Sequence, residues 1–118
     1  MADLGSMESV PKFTFAEALG RLLEGKRVAR AGWNGWSTGK TFAVVRQKGY
    51  PDGIEINANT SEALGLPEKT LVKFAPYLML CVGTLPTGEG DAAPVDRTCL
   101  PWTPSQQDQL AEDWIQVA

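Results

Sequence analysis

The sequence predicts an α+β domain: an N-terminal helix packed on a twisted, mainly antiparallel β-sheet, with a short helix before the last strand. Three observations carry this. A capped amphipathic segment begins at Thr14-Phe15-Ala16-Glu17. Short runs of β-branched and aromatic residues follow it, each bounded by glycine or proline clusters. Residues 100–117 then read LPWTPSQQDQLAEDWIQV, a helix start that passes into strand-like alternation.

Thr14 and Glu17 stand at capping-box spacing, with Phe13 before them as a staple residue. Phe15, Ala18, Leu19, Leu22 and Leu23 repeat at helical spacing, and Gly25 supplies a left-handed stop, so a helix is expected over 15–24. Its apolar stripe reads as core. Lys26-Arg27-Val28-Ala29-Arg30 is a short strand, and Thr41-Phe42-Ala43-Val44-Val45-Arg46 is a second. Between them lies the loop Ala31-Gly32-Trp33-Asn34-Gly35-Trp36-Ser37-Thr38-Gly39, across which the two strands are expected to pair antiparallel. Its tryptophans read either as a lid over the core or as a stacking surface for a nucleobase, since an aromatic face holds a base by about 1–3 kcal/mol.

Gly49-Tyr50-Pro51-Asp52-Gly53 reads as a turn and Ile54-Glu55-Ile56-Asn57 as a short extended piece. Thr60-Ser61-Glu62-Ala63-Leu64-Gly65 is expected to cap one helical turn. Leu71-Val72-Lys73-Phe74 and Tyr77-Leu78-Met79-Leu80-Cys81-Val82 read as strands interrupted at Pro76. The second is apolar on both faces and is expected to be buried on both, by the core and by a further element or subunit. Residues 83–94 have loop composition. Thr98-Cys99-Leu100-Pro101-Trp102 is expected to return as the partner strand. The closing helix starts at Thr103, with Gln106 reciprocal, or two residues later with Ser105 and Asp108. Trp102 and Trp114 alternate with polar neighbours and read as core.

A chain of 118 residues with 43% hydrophobic and 21% charged residues has the size and composition of one globular domain. No apolar run reaches the roughly 20 residues of a membrane span. Residues 1–6, ahead of a second Met, read as an added leader rather than a signal peptide, which leaves 7–118 as a single domain. The two cysteines are too few for a disulfide scaffold, and Cys81 reads as a buried thiol. Histidine is absent, which removes the commonest general base and metal ligand. The net charge of −3 is uneven: residues 1–50 hold eight Lys/Arg against four Asp/Glu, net +4, and residues 51–118 hold three against ten, net −7. An overall acidic chain argues against coating a nucleic-acid polymer, while a local basic patch for a small anion stays open.

Two stretches carry a family resemblance. Arg27-Val28-Ala29-Arg30-Ala31-Gly32-Trp33-Asn34-Gly35 is one, and Trp102-Thr103-Pro104-Ser105-Gln106 with Asp108 and Leu110-Ala111-Glu112-Asp113-Trp114 is the other. Together with YPDGIEINANTSEALGLPEKTLVKFAPYLML between them, they resemble a small phage and prophage family, the second type of Thoeris anti-defence protein. The likeness extends over residues 13–118. It implies a binder rather than an enzyme: a sponge that sequesters cyclic nucleotide signals of bacterial immunity, glycocyclic ADP-ribose of Thoeris or cyclic oligonucleotides of CBASS systems. It also implies a homotetramer with pockets between protomers, working without cofactor or metal in the cytoplasm of an infected bacterium. The alternatives are an enzyme that degrades such a signal and a protein that blocks an immune effector directly.

On this reading Trp33 stacks on a base, and Arg27 and Arg30 meet phosphates. Asn34 either contacts ligand or accepts a left-handed turn. Ser105, Gln106 and Asp108 surround a helix start, where capping alone also accounts for them. Asp108 and Asp113 are candidates to accept from ribose hydroxyls. The residues 83–94, longer here than in relatives, are where ligand choice would differ.

Overall fold

The structure, a computed structural model, describes residues 10–35, 38–85 and 96–117. It is α+β, as expected, and divides into two compact units, Met1–Arg46 with Leu78–Ala118 and Gln47–Tyr77.

The larger unit begins with helix α1, Phe15–Leu23, whose N-cap Thr14 accepts from the Glu17 N–H at 3.3 Å. Glu17 does not complete the reciprocal half of a capping box; its carboxylate binds Arg21 one turn on. Gly25, at φ +87°, turns the chain out of the helix, a backbone conformation that a β-carbon would penalise. Strands β1 (Arg27–Arg30) and β2 (Lys40–Gln47) pair antiparallel with Val28 opposite Val44, as the loop between them predicted.

Strand β5 (Tyr77–Thr84) joins this sheet, and β6 (Asp96–Pro101) returns beside it in register from Met79↔Pro101 to Thr84↔Asp96. Strand β7 (Trp114–Val117) pairs with β1, completing the order β6-β5-β2-β1-β7. The terminal regions also meet directly: Phe13 and Trp114 exchange backbone hydrogen bonds of 2.9 and 3.1 Å.

Trp114 is fully buried and organises the core. Phe15 and Trp33 lie 5.5 Å from its ring and Trp102 6.1 Å, all tilted or edge-on as the ring quadrupole favours. Its indole N–H donates to the Asp108 carbonyl at 2.9 Å. Phe13, Ala18, Leu22, Val28 and Val44 close around it. Burying a ring of this size contributes roughly 5 kcal/mol of transfer free energy.

Strand parity divides the sheet into two faces. Val28, Val44, Leu78 and Leu80 face the helix and core. Arg27, Ala43, Met79, Cys81, Cys99 and Val117 lie in the opposite phase. Within one chain, residues 78 to 82 are half-buried and Tyr77 is exposed. Cys81 likewise is half-buried, not enclosed.

The smaller unit contains β3 (Tyr50–Glu55), β4 (Leu71–Phe74) and a helix between them, α2 (Ala58–Leu64). Residues 50–53, expected as part of a turn, are strand instead. A register shift between Tyr50 and Ile54, with Gly53 at φ +98°, admits Pro51 and Gly53 into the ladder, so a bulge overrides local turn chemistry. Helix α2 starts earlier than expected because Asn57, not Thr60, is the N-cap; Asn57 Oδ1 accepts from the Thr60 N–H at 2.9 Å. Gly65 ends it at φ +69°, as expected.

Candidate functional site

The predicted site residues fall into two groups, on opposite faces of the sheet. Arg27 and Arg30 are three residues apart on β1, and an odd separation sends strand side chains to opposite faces. They do not form one patch.

The first group gathers at the end of β1. Arg30 Nε donates to Asp113 Oδ1 at 2.9 Å, and its Nη1 to Asp108 Oδ1 at 3.1 Å. Asp108 reaches this position because Ser105 starts helix α3, Gln106–Leu110, in a full capping box. The Ser105 N–H donates to Asp108 Oδ2 at 2.9 Å, and the Asp108 N–H donates to Ser105 Oγ at 3.0 Å. The later of the two predicted helix starts is thus the real one, and Thr103 is not the cap. Gln106 lies exposed on the first turn.

Charge is balanced inside this group. The Asp113 carboxylate raises the Arg30 guanidinium further above its ordinary value, and Asp108 adds to the effect against the opposing burial. Burial pushes the Asp108 carboxyl up, but hydrogen bonds from Ser105 and then Arg30 outweigh it and hold Asp108 below the usual carboxylate range. One guanidinium with two carboxylates leaves the cluster net negative, which disfavours a phosphate beside it. What the cluster does is position the following turn: the Ala31 N–H donates to the Asp113 carbonyl at 2.8 Å and the Trp33 N–H to the Arg30 carbonyl at 3.1 Å. Trp33 itself is half-buried, 5.5 Å from Trp114 and 5.9 Å from Phe42. Trp36 and Ser37 of the same loop lie outside the described residues.

The second group lines an open cleft of about 530 Å³ on the other side of the sheet. Arg27 and Asn34 meet here, joined by Arg97 from β6. Ala43, Val117 and Cys81 supply apolar surface between them. Asn34 does not adopt a left-handed backbone, which is left to Gly32 and Gly35 at φ +90° and +130° on either side. Its Oδ1 accepts from the Phe42 N–H, fixing the side chain and leaving its amide NH₂ as a donor. Among the described residues, neither Arg27 nor Arg97 forms an ion pair and no carboxylate lines the cleft. Two cations that pair with no carboxylate among the described residues, beside an apolar floor, have the chemistry to receive a small anion with a flat hydrophobic part.

Sequence reasoning missed Arg97 and the facing cysteines. The available signal was parity: Arg97 and Cys99 share a strand face, and the 77–84/96–101 hairpin register places that face beside Arg27. Residues 86–95, including most of the loop expected to influence ligand choice, lie outside the described residues. Among the described residues no cluster of three or more Cys, Asp or Glu side chains could hold a metal ion, and no helix is long and apolar enough to cross a membrane.

Fold and cleft together define a small α+β domain with an open cleft, lined by two arginines, on one face of its sheet. The chain belongs to the Thoeris anti-defense 2-like (Tad2-like) domain family, whose match covers residues 13–117. That membership assigns it a Thoeris anti-defence role. A search of curated proteins finds no match.

Proposed function

We propose that the protein binds and sequesters cyclic nucleotide immune signals of the glycocyclic ADP-ribose class, without cleaving them. Family membership over residues 13–117 carries this reading. The cleft supports it: its volume of about 530 Å³ lies within the roughly 300–1,000 Å³ range of small-molecule sites. In this arrangement Arg27 and Arg97 take the phosphates, the adenine lies on the apolar floor at Ala43 and Val117, and the Asn34 amide donates to a base or ribose acceptor. Arg30, Asp108, Asp113 and Ser105 act one step back, holding the turn that carries Asn34, and Trp33 packs behind it. The absence of histidine is compatible with a site that moves no proton.

Self-association into a homotetramer is part of the proposal. Leu19 and Leu23 on α1 are 38% and 57% exposed, and Leu110 on α3 is 80% exposed, apolar surface that a second copy would cover.

The test is to incubate the protein with glycocyclic ADP-ribose, remove free ligand, denature by heat and identify what is released. Intact ligand is expected. Release of new chemical species would replace sequestration with degradation, and failure to retain any member of a cyclic nucleotide panel, CBASS cyclic oligonucleotides included, would leave direct inhibition of an effector. Light scattering at micromolar concentration should return about four times the 12.8 kDa chain mass, and a monomer would overturn the assembly.

A further inference from the structure

Cys81 and Cys99 stand directly opposite each other on β5 and β6, with their Sγ atoms 3.2 Å apart. Opposed residues of an antiparallel pair have Cα atoms about 4.5–5.5 Å apart, inside the ~4.4–6.8 Å that a disulfide spans. Joining the sulfurs at the ~2.05 Å of an S–S bond therefore takes side-chain rotation of about an ångström and no backbone displacement. Both thiols are free; Cys99 is exposed at the sheet edge and Cys81 half-buried behind it. Both also line the Arg27–Arg97 cleft, which opens them to small reagents.

We propose that Cys81 and Cys99 form a reversible dithiol–disulfide site, oxidised by hydroperoxides to a bond between β5 and β6. In the first step the exposed Cys99 sulfur attacks the terminal peroxide oxygen; the O–O bond breaks, Cys99 becomes a sulfenic acid, and the alcohol or water leaves. In the second, the Cys81 sulfur attacks the Cys99 sulfur, the S–O bond breaks, and hydroxide leaves as water with the Cys81 proton. The two thiols together give up two electrons, and one peroxide is consumed. A dithiol reductant reverses the bond by exchange.

The order of attack follows from the surroundings. Burial first, and the neighbouring Cys99 thiol second, push the Cys81 thiol up to about 11, while the Arg27 charge pulls weakly the other way. Cys81 is thus almost wholly protonated at neutral pH and suits the resolving role better than that of first nucleophile. The pair rests reduced and closes when peroxide first modifies its exposed member. Closure ties the edge strand β6, which carries Arg97 two residues from Cys99, to the interior of the sheet.

The experiment treats the reduced full chain with one equivalent of hydrogen peroxide, quenches with iodoacetamide under denaturing conditions and records intact mass and non-reducing electrophoresis. The expected product is a monomeric chain lighter by two hydrogens, unalkylated, restored to two alkylatable thiols by dithiothreitol. It should melt roughly 10 °C higher than the reduced protein, as closure of a loop of this size implies. Cys81→Ser should instead accumulate oxygen adducts at Cys99. Phenylarsine oxide, which needs two neighbouring thiols, should bind the wild type one to one and neither Cys81→Ser nor Cys99→Ser. A wild type that retains two alkylatable thiols, that gains oxygen without losing hydrogen, or that crosslinks only between chains overturns the proposal. Because the readout needs no nucleotide, its failure is separable from failure of the sequestration reading.

Discussion

Replacing Arg30 with alanine separates a structural role from a ligand-binding one. Its two ion pairs differ in exposure: Asp108 is 15% exposed and Asp113 37%, against 27% for the Arg30 side chain. The Asp113 bond is therefore largely screened and contributes about 0.5 kcal/mol. The Asp108 bond is more sheltered, charge-assisted and fixed by the capping box, and contributes about 1–1.5 kcal/mol. Arg30→Ala should then cost about 1.5–2 kcal/mol. For a domain of this size that lowers the melting temperature by roughly 5–10 °C. Arg30→Lys should recover less than half, since one ammonium cannot engage both carboxylates as a planar guanidinium does. The assay is thermal denaturation followed by circular dichroism at neutral pH, at low and at ~0.5 M salt, where part of the difference should disappear. Ligand titration well below the melting range should show little loss of affinity. An unchanged melting temperature together with a large loss of affinity would refute the reasoning, returning Arg30 to the ligand.

Three further outcomes are expected. Arg27→Ala and Arg97→Ala should each weaken glycocyclic ADP-ribose binding by about 10- to 150-fold in calorimetry, the equivalent of about 1.5–3 kcal/mol, while moving stability by less than ~0.5 kcal/mol. Trp114→Phe should cost about 2–3 kcal/mol in urea titration, because it leaves a gap among four rings and the Asp108 carbonyl without its donor, and Trp114→Ala should cost more still. Because the Asp108 pKa is lowered on folding, the unfolded chain binds more protons around the ordinary 3.8; its contribution is present above that pH and is lost as pH falls through the lowered value, so Asp108→Asn should flatten the melting-temperature profile below about pH 4.

Helix α1 was legible because everything that specifies it is local: Thr14 before it, the apolar stripe within it, Gly25 after it. The pairing of β1 with β2 and the burial of Trp114 were equally open to reading, since a short glycine-rich loop and alternation are sequence-near signals. Residues 50–53 misled because Pro, Asp and Gly mark a turn unless a partner strand offers a bulge, and that partner, β4, lies some 20 residues on. The arrangement of charges at the site was harder to read. Arg30 and Asp113 are 83 residues apart, so nothing in the neighbourhood of either shows that their charges cancel. Arg27 and Arg30 were both assigned to phosphates, although strand parity already set them on opposite sides of the sheet. Arg97 was overlooked because a single basic residue beside an acidic, glycine-rich stretch gains meaning only through the register of β5 with β6.

The interlocking of the two ends of the fold bears on when, during synthesis, the protein can become itself. Strand β1 lies between β2 and β7, Phe13 bonds to Trp114, and Arg21 Nη1 donates to Gln116 Oε1 across 95 residues. A ribosome delivers α1 and β1 well before Trp114, whose ring fills the space between them. Until then Val28, Leu22 and Phe13 lack the indole they pack on, and the nascent chain has no closed interior. Long-range closure of this kind makes folding slow relative to helical proteins of equal length. Loss of even the final strand would remove the centre of the core rather than trim its edge. This topology builds in a lag, set by the time taken to reach residue 114 and by the search that follows.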